Sequence, residues 1–437
     1  MARVAQMNIF SWKEIEDLGD LERLKLVLNT LDDEKFIRVL EKNRDKGRDD
    51  YPIRAIWNSI LALVVYQHPS IESLIRELKR NAQLRELCGF NPLKGSKAVP
   101  SSYAYSRFFK NILKYGNLIT DIFQNLVSCL QKELPNFGKN LAGDGKQISS
   151  FASKRNKNNI EDGRRDIDAN FGIKKYRFEG EKGIVEKLKS WFGYKVHIVA
   201  DADYELPIGY EVTRASIDEK KEVNKILEKI FITHPEIINN CEYGIIDRGY
   251  DDQKLIAKLW NEYKIKPIID IRNMWKDKDD TRLLKDYKNI VYDFKGGLYC
   301  YCLITGDKKP LIYSGFEKDR NTLKFSCPKK AYGVDCKYFK KCKHSSGLRV
   351  KLNENVRLFT PLPRTTYKWK KIYNKRTSIE RINSRLDVSF GFGNHTIRGI
   401  KKMKIRIGIA FIVMLSMSLG RVRQNNLKLI RSLVKTA

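Results

Sequence analysis

The sequence predicts a mixed α/β protein of several domains, with a helical N-terminal domain, a mixed-sheet domain and a β-rich insertion that contains cysteines. Three observations lead to this fold class. Apolar residues recur at helical spacing up to about residue 135, and short apolar runs then alternate with helical segments. Five of the eight cysteines fall within residues 300–342, where that alternation is broken. A chain of 437 residues is long enough for two or three domains, each with its own core.

Residues 1–135 form the predicted helical domain. Apolar side chains recur at helical spacing within residues 51–67, and Ser70 then caps a second predicted helix that runs from Ile71 to about Leu84. Short helices with basic faces are compatible with a DNA-binding domain, although many helical bundles show the same pattern.

Residues 136–274 form the first part of the predicted mixed-sheet domain. Short apolar or alternating runs predict its strands at residues 141–144, 194–200, 206–213, 243–247 and 267–271. Helical patterns follow the third and fourth of these runs, at residues 218–231 and 253–263. Two of the strands are predicted to end in a carboxylate, at Asp144 and Asp247.

Residues 275–365 form the predicted β-rich insertion, and residues 366–437 return to the mixed-sheet domain with further helices. The longest uncharged apolar run, residues 407–420, is too short to cross a bilayer and predicts a buried helix. Residues 1–12 lack the apolar core of a signal peptide. We therefore expect a cytoplasmic protein with reduced cysteines and no membrane partner.

The charge of the chain is strongly basic and unevenly distributed. Lys and Arg number 84 against 52 Asp and Glu, which gives a net charge of +32. No acidic residue follows Asp387, whereas Arg398, Lys401 and Lys402 begin a dense basic stretch. Such a surplus favours a nucleic-acid partner. The alternative for the C-terminal stretch is a solvated basic tail.

Residues 373–385 are the most informative segment of the chain. On an α-helix, at about 100° per residue, Tyr373, Arg376 and Glu380 share one face. A neighbouring apolar stripe can hold this helix against a core; it consists of Ile379, Ile382 and Leu386. A carboxylate beside a guanidinium and a phenol suits contact with a metal-bound phosphate. The alternative is an amphipathic surface helix.

The three carboxylates predict a metal site. Asp144 and Asp247 would converge at one edge of the sheet and repel each other unless divalent cations lay between them. With Glu380 they supply three oxygen ligand groups, enough for two Mg²⁺ or Mn²⁺ ions about 4 Å apart, as in phosphodiester chemistry. The alternative for each aspartate alone is a strand-end cap or an ion pair.

Taken together, Asp144, Asp247 and Glu380 resemble the DDE triad of bacterial insertion-sequence transposases with an RNase H-like catalytic domain. Tyr373, Arg376 and Glu380 match the Y-x2-R-x3-E signature of that group. Further segments are similar in the same order: residues 165–169, 191–197 and 247–251. Residues 51–121 also resemble the N-terminal domain of these proteins, so the resemblance covers most of the chain.

This resemblance implies a function and partners. Metal-activated water would cut the ends of the element at its terminal inverted repeats, and the freed 3′-hydroxyl would attack target DNA. Tyr373 and Arg376 would contact phosphates near the cut. The resemblance also implies a homodimer on paired DNA ends, in the bacterial cytoplasm at the nucleoid.

One position departs from the family pattern. A Lys or Arg often stands seven residues after the glutamate, where this chain has Asp387. Arg381 or Arg385 could replace it as a phosphate contact. Alternatively, this copy is impaired or repurposed, and acts as a non-catalytic DNA-binding protein.

The clustered cysteines favour a structural zinc site in the insertion. The candidate ligands are Cys327, Cys336, Cys342 and His344, with Cys300 and Cys302 as alternatives. Four protein ligands would leave no open position for chemistry. The alternative is a set of small buried thiols.

Overall fold

The computed structural model describes residues 20–44, 51–152, 165–180, 183–277 and 279–432, so the predicted absence of a signal peptide in residues 1–12 lies outside the described residues. Helices form the described N-terminal part: α1 Leu21–Thr30, α2 Glu34–Lys42, α3 Ile53–Val65, α4 Ile71–Arg80, α5 Ala82–Cys88, α6 Ser102–Lys114 and α7 Gly116–Glu133. Ser70 caps α4 as predicted, since its side chain accepts the N–H of Ser73. The single helix predicted over 71–84 is wrong, because Asn81 is extended and caps a new helix through the N–H of Leu84.

The central sheet is mixed. Its strands are β1 Asn140–Ser149, β2 Asn170–Gly180, β3 Gly183–Asp201, β4 Leu206–Arg214, β5 Tyr243–Ile246 and β6 Lys266–Ile269. Strand β1 lies in the middle, antiparallel to β3 on one side and parallel to β5 on the other. Strand β4 extends the sheet beyond β3, and β6 extends it in parallel beyond β5. The helices between these strands are α8 Glu219–Thr233, α9 Pro235–Asn240 and α10 Gln253–Asn261.

Strand β1 is longer than predicted. It does not end at Asp144, because the residues after it continue to pair with β3 as far as Ser149. Its parallel pairing with β5 does end there, since the last pair is Gly143 with Ile246. Asp144 and Asp247 are therefore the next residues on two neighbouring strands, as convergence at one place in the sheet requires.

The insertion contains two small sheets around a second apolar core, to which Trp260 of α10 and Ile271 also contribute. The first sheet is built from β7 Arg282–Leu283, β8 Ile290–Tyr292, β9 Leu298–Tyr301 and β10 Lys308–Pro310. The second contains β11 Ile312–Glu317, β12 Thr322–Ser326 and β13 Leu348–Lys351, with α11 Pro328–Tyr332 between the last two strands. The predicted β-rich character of this region is confirmed, and the chain as a whole is a mixed protein with several sheets.

The C-terminal part is helical, with α12 Tyr367–Tyr373, a 3₁₀ turn over Asn374–Arg376, α13 Thr377–Ser384 and α14 Ile400–Arg423. By length and composition α14 could cross a membrane. Residues 407–420 are nevertheless all buried within the protein, against α1, α7 and β4, which confirms the predicted buried helix. One apolar core runs from the N-terminal helices through the sheet to α14. The division into 1–135, 136–274, 275–365 and 366–437 stays a prediction.

Candidate active site at the strand ends

Asp144 lies in the middle of the sheet with its carboxyl group largely out of solvent. Burial raises its pKa to about 6, and the neighbouring carboxylates of Glu219 and Asp247 add to this increase. The N–H of Gly145 and the Lys174 ammonium oppose it only in part. Ionisation of Asp144 is therefore opposed mainly by its burial and, to a smaller extent, by the two neighbouring carboxylates.

Asp247 stands directly after β5 and is more open, with 41% of its side chain exposed. The Tyr373 hydroxyl donates to its Oδ1 at 3.5 Å, and the Arg376 guanidinium lies 3.9 Å from the same oxygen. Burial and then the charge of Asp247 raise the pKa of Tyr373 to about 12. The phenol thus keeps its proton at neutral pH and acts as a donor.

The guanidinium of Arg376 links Glu380 to Asp247. Glu380 Oε1 accepts a hydrogen bond from Arg376 Nη1 at 2.7 Å, so one guanidinium contacts both acidic side chains. The prediction of one continuous helix over residues 373–385 is wrong in detail, since a 3₁₀ turn separates α12 from α13. Both halves keep right-handed helical backbone across the junction. The side chains of Tyr373, Arg376 and Glu380 therefore still lie close together, as predicted.

The glutamate helix α13 is held firmly against the sheet. The predicted apolar stripe is confirmed, because Ile379, Ile382 and Leu386 are completely buried. One turn after Glu380, the Asn383 amide donates to Asp144 Oδ2 at 3.3 Å. The helical segment that carries Glu380 therefore contacts both aspartates directly.

Of two further residues near the triad, Glu219 escaped sequence analysis, and Tyr250 enters it only as part of the similar segment 247–251. Glu219 is the first residue of α8 and forms an ion pair with Lys195 at 3.0 Å. It also lies close to β1: a methyl group added to Gly145 would stand 3.1 Å from the carboxyl carbon of Glu219. The Tyr250 side chain is buried, and its hydroxyl has no hydrogen-bond partner among the described residues. The charges of Glu219, Asp144 and Asp247 all act on this phenol. Only the packing of α8 on the sheet reveals Glu219 as a neighbour of the triad.

The transposase DDE domain family matches residues 173–416, which is more than half of the chain and includes Asp247 and Glu380. The chain belongs to this family. A second family, described as a transposase domain (DUF772), matches residues 11–111. A cryo-EM structure of the piggyBac transposase synaptic complex with hairpin DNA is similar over 97% of this chain and 80% of that one, with 11% identity and a TM-score of 0.38. No curated protein matches the sequence.

Asp387, which stands where the family often has a basic residue, forms an ion pair in this DDE-family protein. Asp387 Oδ2 lies 2.5 Å from the Nζ of Lys146, whose side chain is 9% exposed. Lys146 comes two residues after Asp144 on β1, and side chains two apart on a strand share one face. The sheet thus places an ammonium group close to the position where the family often has a basic side chain on the helix.

Apart from Tyr373 and Arg376 at the triad, the residues predicted to bind DNA fall into two groups. Arg381 and Arg385 both form ion pairs with Glu205, whose side chain is 3% exposed, at 2.7 and 2.5 Å. They fasten the glutamate segment to the turn between β3 and β4. The other group lies on the surface at the start of α14 and consists of Arg398, Lys401 and Lys402. Arg398 and Lys402 line an open groove of about 880 Å³ between the N-terminal helices and residues 390–406.

The structure also locates the predicted metal ligands. Five cysteines line one small cavity in the insertion, whereas His344 packs its ring against Tyr287 at 4.8 Å. Within the described ranges, no three His, Cys, Asp or Glu side chains are grouped closely enough to hold a metal ion as they stand. At the triad, the Arg376 side chain lies between Asp247 and Glu380 and supplies positive charge there.

The raised pKa of Asp144 predicts how the stability of the folded protein depends on pH. Its ordinary value is 3.8, so between about pH 4 and 6 the folded, metal-free protein binds more protons than the unfolded chain and loses stability as pH rises. We expect Asp144→Asn to remove this loss and to stabilise the chelated protein at pH 8 by about 1–3 kcal/mol. Denaturant unfolding in chelator would measure the difference, which should vanish near pH 4. A variant less stable than wild type at pH 8 would contradict the assignment of an uncompensated charge.

Proposed function

We propose that this protein is the transposase of a bacterial insertion sequence, which binds the terminal inverted repeats of its element, cuts the DNA strands there and joins the freed 3′-hydroxyl to target DNA. The observation that carries this proposal is that two aspartates lie side by side and the helical segment that carries Glu380 packs over both. Asp144 and Asp247 follow the last paired residues of adjacent parallel strands, and the segment that carries Glu380 contacts both. Membership of the transposase DDE domain family supports it.

The donor set fits divalent cations. All three groups are carboxylates, the ligands that Mg²⁺ and Mn²⁺ prefer, and the pKa of Asp144 is raised first by burial and then by the neighbouring carboxylates of Glu219 and Asp247, so a bound cation would favour its charged form. Asp144, Asp247 and Glu380 would hold two ions. When bound, such ions lower the pKa of an attacking water or 3′-hydroxyl and stabilise the leaving oxygen.

The chain's own side chains would position the scissile phosphate. The planar fork of Arg376 can hold two phosphate oxygens, and its contacts with Asp247 and Glu380 support this role for it beside the scissile phosphate. Tyr373, which keeps its proton, would donate to a third oxygen. Asn383 would hold the Asp144 carboxylate in place through its amide hydrogen bond. An in-line displacement at the scissile phosphate would then proceed without a covalent bond between enzyme and DNA.

The fold supports the finer assignment as well. A central first strand, with an antiparallel pair on one side and two parallel strands on the other, is the order we expect of an RNase H-like domain. We assign duplex binding to the helical N-terminal domain and to the exposed basic residues Arg398, Lys401 and Lys402. Paired element ends imply a homodimer in the DNA complex, and the site of action would be the nucleoid in the bacterial cytoplasm.

A cleavage assay with purified full-length protein tests this function. The substrate is labelled duplex DNA that carries the inverted repeats flanking the gene, and a scrambled duplex of equal length is the control. We expect 3′-end cutting and strand transfer in Mg²⁺ or Mn²⁺, with binding but no cutting in chelator. Binding without cutting in either metal would overturn the catalytic proposal and favour a non-catalytic DNA-binding protein. Equal binding to the scrambled duplex would overturn recognition of the repeats.

A further inference from the structure

Five thiols from separate segments of the insertion meet at one small cavity. Cys300 lies on β9 and Cys302 just beyond it, and residues two apart in extended chain share a face. Cys327 precedes α11, whereas Cys336 and Cys342 flank a short 3₁₀ turn. The cavity that all five line measures about 30 Å³. That is enough for a water-sized occupant or a metal ion, and far too small for an organic ligand.

Backbone N–H groups face two of these sulfur atoms. The N–H groups of Ile304 and Thr305 point at the Cys302 sulfur, and the N–H of Tyr338 points at both Cys302 and Cys336. All five cysteines are free, with no disulfide among them.

The chain beside the cavity contributes no buried side chain to the core. Among residues 333–347 none is buried, and the only regular element is the 3₁₀ turn Phe339–Lys341. The apolar core of the insertion includes Cys300 at its edge and none of the other four cysteines. A segment that buries no side chain gains too little hydrophobic energy to offset its conformational entropy. A cross-link through Cys336 and Cys342 would supply what the core does not.

We propose that four of these five thiolates bind one structural Zn²⁺ and thereby anchor residues 333–347 to the sheet that contains β9. A tetrahedral site with Zn–S bonds of about 2.3 Å has no open position, so the metal would not take part in chemistry. The ligand set differs from the one that spacing suggested, because His344 packs on Tyr287 and does not line the cavity. Since no three described side chains are yet close enough to hold an ion, binding would draw the sulfurs inward.

Metal analysis of the full-length protein tests this site without any DNA substrate. Protein purified under reducing conditions without chelator should contain one zinc per chain by mass spectrometry. Cobalt(II) exchanged into the site should give tetrahedral d–d bands and thiolate charge-transfer bands of four-sulfur intensity. The double variant Cys336→Ser/Cys342→Ser should lose the zinc and become sensitive to protease within residues 333–347. Two controls, His344→Ala and Cys129→Ser, should each keep one zinc.

Three outcomes would overturn the proposal. Wild-type protein with reduced thiols that binds neither zinc nor cobalt has no such site. Loss of zinc in His344→Ala, with a three-sulfur cobalt spectrum, would replace the ligand set with three cysteines and this histidine. If the double variant fails to fold, thiol labelling of wild type decides: the cluster thiols should be protected until a zinc chelator is added. Labelling that the chelator does not change would refute the site.

Discussion

Glu380→Gln will reduce metal-dependent cutting of the element ends by more than about 100-fold while DNA binding stays intact. A hundredfold loss is the upper range when a residue that only supports a metal ligand is changed, and Glu380 is proposed as a ligand itself. The substitution removes the negative charge and nearly preserves the shape. Cleavage of labelled end DNA in Mg²⁺, together with a binding titration in chelator, would measure both quantities.

The stability of this variant separates chemistry from folding. Glu380 is 52% exposed and its partner is Arg376, so the lost ion pair contributes at most about 1 kcal/mol. The melting temperature should therefore change little. Glu262→Gln makes the same chemical change at a surface position that is 62% exposed and should leave cutting unchanged. Cutting by Glu380→Gln at near wild-type rate would remove Glu380 from the site.

The main features of the site were predictable from local patterns. A period of 3.6 residues places Tyr373, Arg376 and Glu380 together even though a 3₁₀ turn interrupts the helix, because the shift in angle across one short turn is small. Apolar runs before Asp144 and Asp247 predicted that they would converge. That prediction depends only on the parallel pairing of two strands, and it holds although β1 continues beyond Asp144.

Long-range pairing was not predictable in the same way. Arg381 and Arg385 have the sequence appearance of phosphate contacts, yet both contact Glu205, which is about 180 residues earlier in the chain and buried in a turn. No local period reveals such a partner. Glu219 is similar, since an acidic first turn is ordinary for a helix and only the packing of α8 brings it to Gly145. The sequence thus predicts which residues line one element, and tertiary packing decides which elements meet.

Asp387→Lys, which introduces the residue type common in the family, will lower cutting by about tenfold or more. The new ammonium group would face Lys146, whose side chain is 9% exposed and already lies 2.5 Å from the Asp387 carboxylate. Asn383 and Asp387 are one helical turn apart, and they contact Asp144 and Lys146, two residues of the same strand face. Repulsion at the second contact would therefore disturb the first, and a tenfold loss needs only about 1.4 kcal/mol.

The reciprocal variant separates this explanation from decay of the gene. Lys146→Asp/Asp387→Lys restores an ion pair with its charges exchanged, and supplies the cation from the helix as the family pattern does. We expect the double variant to cut end DNA faster than Asp387→Lys alone, in the same assay and at equal DNA occupancy. If Asp387→Lys by itself cuts faster than wild type, Asp387 marks an impaired copy and the pairing with Lys146 is incidental. If both variants match wild type, the contact has no part in positioning Asp144.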